Sequence, residues 1–215
     1  MKVKDIMTTA VRTVGPDTSL KEVAVLLSHH RISGLPVVDA TGAVVGVVSK
    51  TDILRKESAA AGSRNGIGLL PGGDDPALAL KVAARTAGEA MTAPAVTIGP
   101  ESSVAAAATL MLELGIERLP VLEHGSLVGL VSRSDLVRAF TRPDAEIALE
   151  IHREVIEGVF SLPSGSVDVT VEGGIVQLAG ELSTETDLVA LPEAVRLVVG
   201  VVAVESQLEW RSHGP

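Results

Sequence analysis

The stretch "GVVSKTDI", residues 46–53, returns as "GLVSRSDL" at residues 129–136, with Gly, Ser and Asp kept at the same spacing while the residues between them drift. Working outward, an offset of 84 lays Met7-Thr8 on Met91-Thr92, Gly15-Pro16 on Gly99-Pro100, and Ile32-x-x-Leu35-Pro36-Val37 on Ile116-x-x-Leu119-Pro120-Val121. After one deletion, an offset of 83 lays Gly42, Gly46, Ser49, Asp52 and Arg55 on Gly125, Gly129, Ser132, Asp135 and Arg138. Two copies of one unit therefore occupy about residues 5–55 and 89–140.

Each copy has the same internal grammar. A Gly-Pro turn precedes a helix whose apolar residues fall at spacings of three and four: Leu20, Val23, Ala24 and Leu27, then Val104, Ala107, Ala108 and Met111. Two short strands follow, "LPVVD" with "AVVGVVS" and "LPVLE" with "SLVGLVS", each pair joined by a glycine-containing turn. A short helix starting near Asp52 or Asp135 closes the unit. One such unit buries too little apolar surface to offset its ordering entropy, so the two are expected to share a core with approximate twofold symmetry.

Between the copies, "AAAGSRNGIGLLPGGDDP" reads as linker in its first half, and "ALALKVAARTAGEA" as a helix with Pro76 near its start. After Arg142-Pro143 the repeat stops. "DAEIALEIHREVIEGV" carries Ile147, Ile151, Val155 and Val159 at a strict spacing of four, an amphipathic helix. "SVDVTVEGG" and "IVQLAGEL" read as a hairpin turned at Gly173-Gly174. Pro192 suits the first turn of a helix that Gly200 ends, and "VVAVESQLEW" closes as a strand. The expected fold class is α+β: two repeats, then a small α-β-β-α-β domain. The expected divisions are 1–60, 61–88 (linker and lead-in helix), 89–142 and 143–215.

The repeated turn admits two readings. As a helix start, Ser49 accepts from the N3 amide and Asp52 reaches back to the cap amide, a variant of the capping box. As a receptor, a strand ending at a helix N-terminus presents unpaired N–H groups to phosphate, beside a carboxylate able to accept from the vicinal hydroxyls of ribose. Lys50 and Arg133, between the Ser and the Asp, are placed to add positive charge.

G-h-h-S-x-x-D (h, apolar) closing a β-α-β-β-α unit, with an h-x-x-h-P-h strand before it and all of it present twice, resembles a tandem pair of CBS domains over about residues 1–140. That resemblance implies a module with clefts between the two units, adenosine-containing ligands such as AMP, ADP or ATP, and a homodimer. By position it implies that Asp52 and Asp135 hold ribose hydroxyls. Ser49 and Ser132, with Thr51 and Ser134, would stand by the phosphates. Thr13-Val14 and Thr97-Ile98 would line adenine, helped by Leu35-Pro36 and Leu119-Pro120. Relatives that grip phosphate often carry a basic residue two positions before that Pro; copy two has Arg118 there and copy one has Gly34. The expectation is two unequal clefts, the one served by Arg118 tolerating more negative charge, with His29, His30 and Arg31 as partial compensation for the other.

Residues 143–215, with "EGGIVQLAGEL" and "GVVAVESQL", resemble a BON domain. Some BON domains associate with phospholipid, but the net charge of −9 over residues 141–215 argues against that here, and leaves ligand capture, protein contact or structural support. The same acidity disfavours nucleic acid. The absence of Cys removes thiolate and zinc–thiolate chemistry, and the five His lack helical metal spacing. No nucleophile–base spacing and no Walker or Rossmann glycine pattern is present. The charged first residues and the lack of a long apolar run point to a soluble, cytoplasmic protein. The expected function is a non-enzymatic sensor whose adenine-nucleotide clefts signal through the C-terminal domain. The alternative is a ligand-free dimerisation scaffold displaying that domain.

Overall fold

The computed structural model describes residues 1–65 and 83–210, residues 58–65 by their backbone alone. Its backbone forms two compact units: Met7–Ser102 with Leu110–Ser132, and Met1–Ile6 with Ser103–Thr109 and Arg133–Pro215.

In the first unit, helix α1 (Leu20–His29) starts where the Ser19 hydroxyl accepts from the Glu22 amide, and it turns Leu20, Val23 and Leu27 into the core. Strand β1 (Gly34–Val38) pairs antiparallel with β2 (Val44–Ser49), and β3 (Arg118–Glu123) with β4 (Ser126–Ser132). The registers correspond: Gly34 faces Ser49 as Arg118 faces Ser132, and each hairpin shifts register before its turn. A one-residue parallel bridge adds to each pair, Val14 on Val37 and Ile98 on Val121. Helix α2 runs Lys50–Asn65, longer than the short helix expected and extending into the stretch read as linker. The run Ala59-Ala60-Ala61 has high helix propensity, and the helix continues from it through Gly62 to Asn65. The rest of that linker, 66–82, and the helix start at Pro76 lie outside the described residues.

The helix expected to reach Ala90 is instead interrupted at Ala84-Arg85, and α3 (Ala87–Ala90) restarts from a capping box of Thr86 and Glu89. Ala84, Ala87 and Ala90 are buried in the same core as Leu20, Val23, Leu35 and Val48. Arg85, Thr18 and Pro16 exchange backbone hydrogen bonds across this seam: Leu20 N to Arg85 O at 2.9 Å, Ala87 N to Thr18 O and Gly88 N to Pro16 O at 2.8 Å. The lead-ins are thus exchanged. Thr92 bridges to Val47 of copy one, and Thr8 bridges to Leu130 of copy two. Met91 lies over Gly46 and Met7 over Gly129, so close that a Cβ would stand 2.8 Å from Met91 Cγ or 2.9 Å from Met7 Cγ. The glycine that opens each repeated stretch is therefore the seat of a methionine from the other copy's lead-in.

In the second unit, α4 (Val104–Glu113) begins and α5 (Arg133–Phe140) follows β4. Helix α6 (Asp144–Glu150) then passes into π-helical geometry over Ile151–Val159. The strict spacing of four overruns the 3.6 residues of an α-turn, and the wider turn keeps Ile147, Ile151 and Val155 buried. Val159, expected on that apolar face, is 71% exposed, and Ile156 is buried in its place.

Strands β5 (Val167–Glu172) and β6 (Ile175–Leu182) form the expected hairpin, with Gly173 and Gly174 both at positive φ as its turn requires. The Asp144 carboxylate accepts from both turn amides, at 2.7 and 2.9 Å. Helix α7 runs Glu185–Arg196 from a Thr184 cap, so Pro192 lies inside the helix and not at its start. The signal Thr184-x-x-Asp187 sets the start, and burial of Leu191, Pro192 and Val195 offsets the lost amide bond. Strand β7 (Ala203–Trp210) lies parallel to β6, giving sheet order β5-β6-β7. The element order α-β-β-α-β is as read from the sequence. Among the described residues no helix is long and apolar enough to cross a membrane.

Candidate functional site

Strand β2 ends at Ser49 and α2 begins at the next residue, which holds Asp52 in the first turn of that helix. The Ser49 backbone N–H donates to Asp52 Oδ2 at 2.9 Å, and the Ser49 hydroxyl donates to the same oxygen at 2.7 Å. The carboxylate thus reaches back to the cap amide as expected, while the hydroxyl serves the carboxylate as donor. Asp52 is 6% exposed, and its other oxygen, Oδ1, has Arg55 Nη1 at 3.8 Å. A buried carboxylate held by two donors on one oxygen is a rigid acceptor.

Opposite it stands Arg118. The Gly34–Ser49 register brings Gly34 beside the Ser49–Asp52 turn, and the Arg118 guanidinium lies over Gly34. Arg118 is 6% exposed. Burial lowers its pKa, opposed by Glu117, whose carboxylate accepts from Arg118 Nη2 at 2.6 Å, and by the charge of Asp52.

These groups line a cavity of about 310 Å³. Its polar wall is Ser49, Thr51, Asp52, Arg55, Glu117 and Arg118, and its apolar wall includes Val47, Val96, Leu114 and Ile116. The volume is at the lower end of the range of small-molecule sites, and the mixture of an apolar wall with a few converging polar groups is what such sites use.

Of the residues expected around an adenosine ligand, Ser49, Thr51, Asp52 and Arg118 meet at this cavity. Lys50 is exposed, with its amide donating to Ser33 O at 2.9 Å. Thr97 and Ile98 are not on the wall, which falls earlier, at Pro94, Ala95 and Val96. The reason is the sheet: Ile98 is buried, and its amide donates to Pro120 O at 3.1 Å. Val14 is held alike, donating to Pro36 O at 3.1 Å, and Thr13 is exposed. Leu35 and Leu119 are in the core at 1% and 0% exposure, and Pro36 and Pro120 are buried beside them. In copy two, Ser132 ends β4 half-buried, Arg133 and Ser134 are exposed, and Asp135 is 8% exposed with Arg138 donating to its Oδ1. Sequence reading missed Glu117, Leu114 and Val96. Only the chain's tertiary path brings them to Asp52. Among the described residues no cluster of His, Asp and Glu is arranged to hold a metal ion.

Comparison with known proteins gives this geometry a context. The CBS domain model matches residues 3–59 and 87–142, and the BON domain model matches 143–212. CBS domain-containing protein CBSX2, chloroplastic, of Arabidopsis thaliana is 33% identical over 163 residues, covering 71% of this chain and 65% of the relative. The chain thus spans less than two thirds of that protein. The crystal structure of CBSX2 in complex with AMP matches with a TM-score of 0.53 at 31% identity, over 64% of this chain and 94% of that one. The CBS domain pair of protein MJ0100, in complex with 5-methylthioadenosine and S-adenosyl-L-methionine, matches with a TM-score of 0.51 at 28% identity, over 65% and 95%.

Proposed function

We propose, from the premise that this chain belongs to the CBS-domain family and carries a BON domain after its CBS pair, that it is a non-catalytic regulatory protein whose Asp52 cavity takes an adenosine-containing ligand. The observation that carries the reading is the pairing of one buried acceptor, Asp52, with one buried cation, Arg118, on a single cavity. Asp52 suits the ribose hydroxyls, and Arg118 and Thr51 suit a phosphate or carboxylate. The AMP bound by CBSX2 and the adenosyl compounds bound by MJ0100 support the ligand class.

In this proposal the ligand stabilises one arrangement of the CBS pair, and the C-terminal domain or a partner reads it. Such a ligand shifts an equilibrium only by its differential affinity for the two arrangements, commonly about 1–3 kcal/mol. The module works as a homodimer in this reading, and light scattering with and without ligand measures that directly.

Calorimetry with AMP, ADP and ATP tests the assignment on wild type, Asp52→Asn and Asp135→Asn. AMP binding that is unchanged in both variants removes the ribose role. Absence of any thermal shift with every adenosine compound leaves the ligand-free scaffold, since a ligand at 100 times its Kd stabilises by about 2.7 kcal/mol.

A further inference from the structure

Taken alone, the Arg118 guanidinium would make the Asp52 cavity an anion site, but its neighbour in sequence changes that. Glu117 lies on the same wall, and its carboxylate accepts from Arg118 Nη2 at 2.6 Å. The second cation of the wall, Arg55, has its Nη1 3.8 Å from Asp52 Oδ1. Two arginines thus face two acids, and the charged side chains of the wall sum to zero. The amides at the head of α2, which a phosphate would use, are drawn off as well: the Ser49 N–H donates to Asp52 and the Lys50 N–H to Ser33 O, both at 2.9 Å.

The two members of the Arg118–Glu117 pair differ in freedom. The arginine side chain is 5% exposed and sits over Gly34, with no room for a Cβ beneath it, whereas the glutamate side chain is 52% exposed. Burial disfavours the charged guanidinium, and the Glu117 charge is the largest influence opposing it, so the buried cation is satisfied before any ligand arrives. A phosphate entering the cavity must therefore share a fixed cation with Glu117 or displace the carboxylate into solvent. Each further phosphate adds roughly one to two negative charges where the wall offers no cation without an acid beside it. Coulomb energy scales with the product of the charges, so the influence of Glu117 grows with the negative charge of the ligand and changes sign for a cation.

We infer that Glu117 is a specificity-determining residue: it sets the Asp52 cavity to accept adenosyl compounds whose 5′ group is neutral, cationic or a single phosphate, and to disfavour nucleoside triphosphates. The inference rests on the function proposed above and narrows its ligand class. It also reverses the expectation that Arg118 makes this cleft tolerant of negative charge, because that expectation counts the arginine without the acid on its fork.

Calorimetry on the full chain with ATP, AMP, 5-methylthioadenosine and S-adenosyl-L-methionine forms a charge series that tests this. Glu117→Gln keeps an acceptor for Arg118 and removes the charge, and at an exposed position it should leave the ligand-free thermal melt in place. Wild type should bind ATP at least about tenfold more weakly than 5-methylthioadenosine. Glu117→Gln should tighten ATP by at least about tenfold and AMP by less, leave 5-methylthioadenosine within about twofold, and weaken S-adenosyl-L-methionine. Glu117→Asp, which keeps the charge, should keep the wild-type order. Equal shifts for all four ligands in Glu117→Gln, no shift in any, or a wild type that prefers ATP to 5-methylthioadenosine overturns the inference and leaves the proposed function standing. No adenosyl compound bound by wild type or by Glu117→Gln removes both.

Discussion

Arg118 rests on Gly34: a Cβ at position 34 would stand 2.7 Å from the guanidinium carbon. The absent side chain of one copy thus makes room for the cation of the other, and a single arginine takes a position that two could not share. Gly34→Ala should displace Arg118 and destabilise the chain by about 1–3 kcal/mol through overpacking. Gly34→Ala combined with Arg118→Ala should cost less than the sum of the two single changes. Urea melts of the four species form the cycle, and additive costs would show that the contact carries no strain.

The Met91–Gly46 seat makes a parallel case. Gly46→Ala puts a methyl where Met91 Cγ and Sδ lie, so it should cost about 1–3 kcal/mol, and Met91→Ala in that background should recover part of it. Thermal melts of the variants measure this; a Gly46→Ala protein as stable as wild type would mean that the lead-in does not pack there.

Removal of the Asp52 carboxylate strips the acceptor from both the Ser49 amide and its hydroxyl. Asp52→Ala should lose about 1–2 kcal/mol of stability as a lost helix-start bond, besides any effect on ligand. Ser49→Ala leaves the amide bond in place and should cost less than Asp52→Ala. Equal losses in the two variants would place the stabilisation in the hydroxyl alone.

The C-terminal unit carries a pH signature at Glu150. Burial raises its pKa, but hydrogen bonds from the N-terminal ammonium at 2.7 Å and Arg142 at 2.5 Å outweigh that and hold it below the usual carboxylate value. A group whose pKa falls on folding stabilises above its unfolded value, about 4.3, and that contribution is lost as pH drops through the folded value. Glu150→Gln should cost about 1–3 kcal/mol at pH 7 and flatten the acid limb of the stability curve below about pH 4.3. An unchanged acid limb in melts from pH 3 to 7 would assign that limb to other carboxylates.

Asp144 offers a last test, since its carboxylate holds the two amides of the Gly173-Gly174 turn. Asp144→Ala should release both and raise hydrogen exchange at those amides ahead of the β5–β6 ladder. Uniform protection across turn and ladder in the variant would show that the ladder alone fixes the hairpin.

The repeat, both β-hairpins of the CBS pair, the glycine turn of the third hairpin and the acid at the head of α2 follow from the chain's own periodicity. Apolar spacing, turn chemistry and capping act over a few residues and leave their mark in order along the sequence. Other features needed the assembled molecule. Arg118 meets Asp52 and Gly34, Met7 and Met91 seat on each other copy's glycine, and Val96 and Leu114 join one wall, because residues far apart in sequence compete for the same volume. The π-helical drift after Glu150 and the burial of Pro192 inside α7 have the same origin. Packing against a shared core overrules local preference wherever the apolar area gained exceeds the local cost.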